Sequence, residues 1–364
     1  MKVAQVAPLY ESVPPELYGG TERVVSYLTE ELVRQGHDVT LFASGDSVTS
    51  ARLISTCRRA LRLDPDCVDQ IAHHLVMLEE VYRRADDFDV IHFHVDYFHF
   101  PWSRRHTVRH LTTLHGRLDI PDLVPLYREY PEMPVVSISD SQREPLPWLN
   151  WLATVHHGLP PDLHSCGEEP GDYLVFLGRI SPEKRPDLAI EIAGRAGLPL
   201  KIAAKVDKAD REYFEQAIRP LLSQPHVELL GEVDERDKGE LLGGARALLF
   251  PIDWPEPFGM VMIEAMACGT PVIAFRRGSV PEVMVDGRSG FVCGNVNEAV
   301  AAVGRLSEVS RQEVRRVFEE RFTAERMARD YVAIYQRLLK EDRTNADPRS
   351  VGALLDSGDR TAGR

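Results

Sequence analysis

The chain has 364 residues, with 43 Lys/Arg against 56 Asp/Glu and a formal charge of −13. That length allows two domains with substantial cores, and an acidic first half, 15 Lys/Arg against 23 Asp/Glu over residues 1–165, argues against nucleic acid and against docking on an anionic membrane. No apolar run approaches the roughly 18 residues of a membrane span, the opening MKVAQVAPL reads as a strand rather than a signal peptide, and the scattered Cys57, Cys67, Cys166, Cys268 and Cys293 fit a reduced, cytoplasmic setting better than a zinc site.

Lys2 to Ala7 reads as a short buried strand. A proline-rich loop follows to Gly20, and its end, Leu17-Tyr18-Gly19-Gly20-Thr21-Glu22, opens a helix to about Gln35. Val24, Val25, Leu28, Leu32 and Val33 give that helix its apolar spacing. Gly36 ends it, and Asp38 to Ala43 is the next strand. Strand, glycine turn, helix, strand is the start of a doubly wound parallel sheet. Gly19 and Gly20 could let backbone amides approach a phosphate, although a plain structural turn explains paired glycines equally.

A helix is predicted over 69–85 with Ile71, Leu75, Leu78 and Val81 on its buried side. Strands follow at Asp89 to His94, Leu111 to His115, Val135 to Ser139 and Thr154 to His157. His94 and His115 fall at strand C-termini, where open α/β sheets place ligands. Twelve of the thirteen histidines precede residue 165. His92, His94, Asp96 and His99 have the look of a metal-ligand cluster, and His92 and His94 would share a strand face. Histidines satisfied by their neighbours are the favoured explanation.

Residues 158–170 read as a linker. A second alternating set then begins. Strand Tyr173 to Leu177 leads into Gly178-Arg179-Ile180-Ser181-Pro182-Glu183-Lys184, and a helix over about 187–196 precedes strand Leu200 to Ala204. A helix over 209–223, strand Val227 to Leu230, the turn Gly231-Glu232-Val233-Asp234, a helix over 236–245 and strand Ala247 to Pro251 come next.

Asp253 to Glu264, DWPEPFGMVMIE, carries the strongest chemistry. Each proline biases the residue before it away from helical angles, so Glu256 belongs to a loop. From about Gly259 to Gly269 the residues suit a helix, which places Glu264 in its second turn. The open amides of Gly259, Met260 and Val261 would form an anion site between two carboxylates eight positions apart. Carboxylates do not bind phosphate but accept hydrogen bonds from sugar hydroxyls. Glu264 would stand roughly 7 Å along the axis from the first open amide, a reach suited to a diphosphate followed by a ribose. The plainer alternative is a surface loop leading into an amphipathic helix. Arg179 and Lys184, on the same side of the sheet, suit a diphosphate as a fork and a mobile ammonium, or are ordinary solvated charges. Strand Val272 to Ala274, a short helix from Pro281, strand Gly290 to Cys293 and a long amphipathic helix at about 310–340 complete the chain, with 341–364 polar and loose.

Taken together, YGGTE, TTLHG, FLGRISPEKRP, LLGEVDERDKGELL and EPFGMVMIEAMACGTPVIA resemble glycosyltransferase family 4 with the GT-B fold, over nearly all of residues 1–340. The resemblance implies two Rossmann-like doubly wound α/β domains facing each other across a cleft. The N-terminal one, 1–165, would hold the acceptor. The second, 166–324, would hold the nucleotide-sugar, and a helix over 325–340 would cross back. It implies a retaining transfer of a hexosyl group from a nucleotide-sugar donor, a UDP-sugar such as UDP-glucose, to an acceptor the sequence does not identify, with no obligatory metal and no other cofactor; the acidic first half makes a soluble acceptor the expectation. By motif match, Gly19 and Gly20 approach the diphosphate and Arg179 and Lys184 neutralise it. Glu256 holds donor-sugar hydroxyls beside the amides of Phe258, Gly259, Met260 and Val261, Glu264 takes the ribose, Val233 and Asp234 border the base, and His115 stands near the transferred sugar. Two other readings compete: a metal-dependent hydrolase built on His92, His94 and Asp96, and a non-catalytic protein that binds sugar nucleotides on the same fold.

Overall fold

A computed structural model describes residues 1–345 apart from Tyr18, Glu168 and Pro170. Residues 341–345 form the last turn of a helix, and the remainder of the expected loose tail, 346–364, lies outside the described residues.

Seven parallel strands make the first sheet: β1 (Lys2–Val6), β2 (Asp38–Phe42), β3 (Arg52–Ile54), β4 (Val90–Phe93), β5 (His110–Thr113), β6 (Val135–Ser137) and β7 (Trp151–Thr154), in the order β3-β2-β1-β4-β5-β6-β7. Six more make the second: β8 (Leu174–Arg179), β9 (Leu200–Lys205), β10 (Val227–Gly231), β11 (Ala247–Phe250), β12 (Val272–Phe275) and β13 (Gly290–Cys293), ordered β10-β9-β8-β11-β12-β13. Every pairing is parallel. Parallel strands with helices on both faces are buried on both faces, hence continuous apolar runs such as Ala247-Leu248-Leu249-Phe250 rather than alternation. Each sheet reverses its winding beside its first strand, between β1 and β4 and between β8 and β11. Loops from those strand ends open into a crevice, the usual ligand position of a doubly wound sheet.

Several sequence expectations need correction. The helix expected over 310–340 is two helices, Arg311–Arg321 and Ala324–Asn345. Phe322 is fully buried and its carbonyl accepts from the Leu159 amide at 2.8 Å, which takes it out of a helical ladder. The segment 209–223 is a chain of short turns with a π stretch at Phe214–Ile218, and Pro220 removes a helical donor. The strand placed at Thr154 to His157 lies at Trp151–Thr154, because the carbonyls of His156 and His157 accept from the Arg326 guanidinium at 2.6 and 2.9 Å. On the helix Gln70–Arg83, Ile71 and Leu75 are 56% and 43% exposed, and the inner face is His74, Met77, Leu78 and Val81. His74 is drawn inward because its Nε2 accepts from the Leu9 amide at 3.0 Å. Strand β3 and the helix Val296–Gly304 were not anticipated.

The helix Ala324–Asn345 returns from the second sheet to the first. There the Tyr335 hydroxyl accepts from Gln5 Nε2 at 3.1 Å and meets His92 Nδ1 at 2.8 Å, while the Tyr331 hydroxyl meets Thr113 Oγ1 at 2.8 Å. Where the chain passes between the sheets, Leu159 pairs with Thr323, Ala324 donates to the Leu159 carbonyl at 2.8 Å, and a Cβ on Gly158 would stand 2.3 Å from the Thr323 carbonyl oxygen. Tyr335→Phe leaves two fully buried partners without a hydroxyl. It is expected to lower unfolding free energy by about 1–3 kcal/mol, read from urea denaturation. An unchanged midpoint would show that the returning helix is not held at this point.

Candidate active site

The loops following β8 and β11 flank the crevice of the second sheet, and the motifs singled out in the sequence lie on them. After β11, Glu256 sits on a loop between Pro255 and Pro257 and is 8% exposed. Its carboxylate pairs with the Lys184 ammonium, which comes from the loop after β8, and accepts from the Trp254 indole N–H at 3.0 Å. The same ammonium lies 4.9 Å from the centre of the Trp254 ring, within cation–π range. Gly278, in the turn after β12, fixes this loop from behind. Its φ of 49° and its approach to Glu256 leave no room for a side chain, since a Cβ would stand 2.4 Å from the Glu256 nitrogen. Beside it, the Ser279 amide donates to the Glu256 carbonyl at 3.0 Å and the Ser279 hydroxyl to the Phe258 carbonyl at 2.8 Å.

Gly259, in left-handed conformation, leads into the helix Met260–Ala267, whose start carries no side-chain cap. Glu264 lies one turn further on and is 6% exposed, yet its surroundings are polar: Lys238 donates to its Oε1 at 2.6 Å. Lys238 belongs to the helix Glu235–Gly243, which starts beneath Val233 and is capped by the Asp234 carboxylate accepting from the Asp237 amide at 2.8 Å. From the same helix Glu235 reaches Lys238 at 3.0 Å, His164 at 3.2 Å and, from the first sheet's side, Arg23 at 2.5 Å. Burial by itself would raise the Glu235 carboxyl; His164, Lys238 and Arg23 reverse this and bring it down to about 2.

Arg179 is more encumbered than expected. Glu183 pairs with it, and Asp207 and Asp210 stand at 3.7 and 3.4 Å. It lines the cleft with three acids already around it, so a diphosphate there would compete with carboxylates.

From the first sheet, Gly19 and Gly20 begin the helix Gly20–Arg34, and His115 follows β5. His115 Nε2 meets His94 Nδ1 at 2.9 Å, His94 Nε2 meets Gln5 Oε1 at 2.8 Å, and the His157 ring stacks on His115 at 5.3 Å. Burial pushes the His115 imidazole down to about 3, so it is neutral at physiological pH. Burial also lifts the Glu22 carboxyl to about 7. Gly19, Gly20, His115, Arg179, Lys184, Val233, Asp234, Glu256, Phe258, Gly259, Met260, Val261 and Glu264 all line one cleft of about 550 Å³ between the sheets. Sequence reasoning passed over Lys238, Glu235, Arg23 and Gly278. Lys238 and Glu235 stand inside the motif LLGEVDERDKGELL, but nothing in their spacing announces a partner 26 residues away.

The alternative metal cluster does not assemble. His92 spends Nδ1 on Tyr335 and Nε2 on Thr113 at 2.7 Å, and His99 spends its nitrogens on Ser103 and Thr112, both at 2.6 Å. Rings bonded at both nitrogens have no lone pair to offer a metal. Asp96 lines the cleft instead, where burial raises its carboxyl to about 6. Between β4 and β5, Phe100 is fully buried and the Phe98 ring packs against His74 of the helix Gln70–Arg83, their centres 5.5 Å apart.

Two family models match consecutive parts of the chain: Glycosyltransferase Family 4 over residues 18–158 and Glycosyl transferases group 1 over residues 167–324. The uncharacterized glycosyltransferase MJ1607 of Methanocaldococcus jannaschii is 26% identical over 78% of this chain and 83% of its own length. Several further curated relatives match over a third to a half of their own length. Among solved structures, AviGT4, a glycosyltransferase involved in avilamycin A biosynthesis, superposes with a TM-score of 0.73 at 25% identity over 93% of this chain and 98% of its own. Anabaena HepE, in complex with UDP and glucose, shares the fold with a TM-score of 0.71 at 16% identity over 93% and 100% of the two chains.

Proposed function

The chain belongs to the family 4 glycosyltransferases, on the GT-B fold, and from that premise we propose that it moves a hexosyl group from a UDP-sugar, UDP-glucose or a close relative, to a soluble acceptor with retention at the anomeric carbon. The observation that carries the proposal is the convergence of Lys184, Glu256, the helix start at Gly259 and Glu264 from separate elements on one cleft. Acidic oxygens for hydroxyls flank donors for a diphosphate.

The Lys184 ammonium and the open amides at Gly259 to Val261 would meet the departing diphosphate and stabilise the charge that develops on it. Glu256, held by Lys184 and Trp254, would accept from hydroxyls of the donor sugar. Glu264 would accept from the ribose, and Val233 and Asp234 would border the base. Neutral His115 would face the transferred sugar as a hydrogen-bonding group rather than a cation. With the leaving charge met by Lys184 and the helix start, no metal is required of the mechanism. The scattered, unpaired cysteines support a cytoplasmic setting.

The test is a panel of UDP-, GDP- and ADP-sugars, with UDP-sugars first because of the HepE complex. At least one nucleotide-sugar should raise the melting temperature and, with an acceptor, yield a product whose anomeric proton keeps the donor's configuration by NMR. Activity should survive EDTA. No thermal shift with any nucleotide or nucleotide-sugar would overturn the donor reading, and an inverted product would overturn retention.

A further inference from the structure

An ion chain runs through the cleft and ends on Glu264, its other three members being unused by the donor contacts above. Arg23 Nη1 meets Glu235 Oε2 at 2.5 Å, Glu235 Oε1 meets Lys238 Nζ at 3.0 Å, and Lys238 Nζ meets Glu264 Oε1 at 2.6 Å. Its ends belong to opposite sheets. Arg23 stands in the first turn of the helix Gly20–Arg34, and its guanidinium also donates to the Leu17 carbonyl at 2.7 Å, in the loop that leads to Gly19 and Gly20. Lys238 and Glu264 are both nearly buried.

We propose that Lys238 is a positioning residue for Glu264, and that Arg23 and Glu235 extend its hold across the cleft, so that ribose recognition and approach of the two halves are one event. This rests on the reading of Glu264 as the ribose contact. A carboxylate has two oxygens. Lys238 occupies Oε1, which turns the group and leaves Oε2 for a ribose hydroxyl. Without the ammonium, a nearly buried carboxylate loses its cationic partner, and it turns or moves toward another donor. Either change costs the charge-assisted bond that a hydroxyl would make to it. Lys238 is itself shared with Glu235, and Arg23 is what draws Glu235 toward the first sheet. Moving the halves apart therefore removes Arg23 from Glu235 and leaves Lys238 divided differently between two acids.

The discriminating measurement is the affinity of the full chain for UDP against 2′-deoxy-UDP by calorimetry, with GDP and its deoxy form as a second pair. A hydrogen bond to a charged group corresponds to a preference for the ribose form of about tenfold or more in the wild type. Glu264→Gln should narrow that preference, and Lys238→Met should narrow it at least about threefold. Lys238→Arg, which keeps the cation and so guards against misfolding, should narrow it too, because a planar fork does not sit where an ammonium bridges two acids. Arg23→Met should narrow it as well. If Glu264→Gln leaves the preference unchanged, the ribose reading itself fails. If Glu264→Gln abolishes the preference while both Lys238 variants retain the wild-type ratio, the positioning role is overturned and the ribose reading stands. A full wild-type ratio in Arg23→Met overturns the link across the cleft.

Discussion

Lys184→Ala is expected to lower kcat for sugar transfer by about 10²–10³-fold, the scale of losing one preorganised donor to a developing negative charge. Two effects add in the same direction. The ammonium that would meet the diphosphate is gone, and the Glu256 carboxylate, 8% exposed and paired with that ammonium, is left with the Trp254 indole as its remaining side-chain donor among the described residues. An uncompensated carboxylate beside the leaving group repels it, so relief of the ion pair brings no recovery. The measurement is kcat at saturating donor for the wild type and the variant, with melting temperature as a control on folding. Unchanged kinetics would remove Lys184 from the site.

Gly278→Ala should lower kcat/KM by about 10²-fold although residue 278 need touch no substrate. The added Cβ would stand 2.4 and 2.5 Å from the nitrogen and oxygen of Glu256 and 2.7 Å from the Pro255 carbonyl carbon, all backbone, so no flexible side chain can yield. The φ of 49° adds about 1–2 kcal/mol for a residue with a Cβ. The Glu256 loop must shift, and a displacement near 1 Å at a reacting site is worth about 10²-fold. Ser279→Ala serves as the comparison. It removes a 2.8 Å bond to the Phe258 carbonyl without inserting an atom, and its effect should be much smaller. Wild-type kcat/KM in Gly278→Ala would mean that the Glu256 loop does not depend on the turn behind it.

Apart from β3, the strands of both sheets were legible in the sequence because buried parallel strands announce themselves as short apolar runs separated by glycine turns and helical spacing. The Glu256 loop was legible for a local reason: two prolines and a glycine fix backbone conformation without reference to the rest of the chain. Irregularities set by distant partners were not legible. Nothing near Phe322 says that Leu159 will claim its carbonyl, and nothing near His74 says that the Leu9 amide will pull it inward past Ile71 and Leu75. The same limit applied in the site. Arg179 and Lys184 were identifiable as cations at a strand end, but the Asp207 and Asp210 carboxylates around Arg179 come from the turn after β9. Lys238 becomes informative only when the fold brings it to Glu264. The histidines were read in the right sense, as rings satisfied by their neighbours, since a spacing that suits metal ligands suits equally well rings bonded to two threonines, a serine and a tyrosine.

The two strands of backbone that connect the halves, at Leu159 and Thr323, are laced side by side by reciprocal amide bonds rather than placed at separate corners. A rotation that opened the cleft would find its axis near that seam, and the mouth opposite it would travel furthest. Gly158 sits at the pivot, where a methyl group would collide with the Thr323 carbonyl. A jam placed there, one residue from the His157 ring that stacks on His115, would act on turnover by fixing the angle at which the jaws rest.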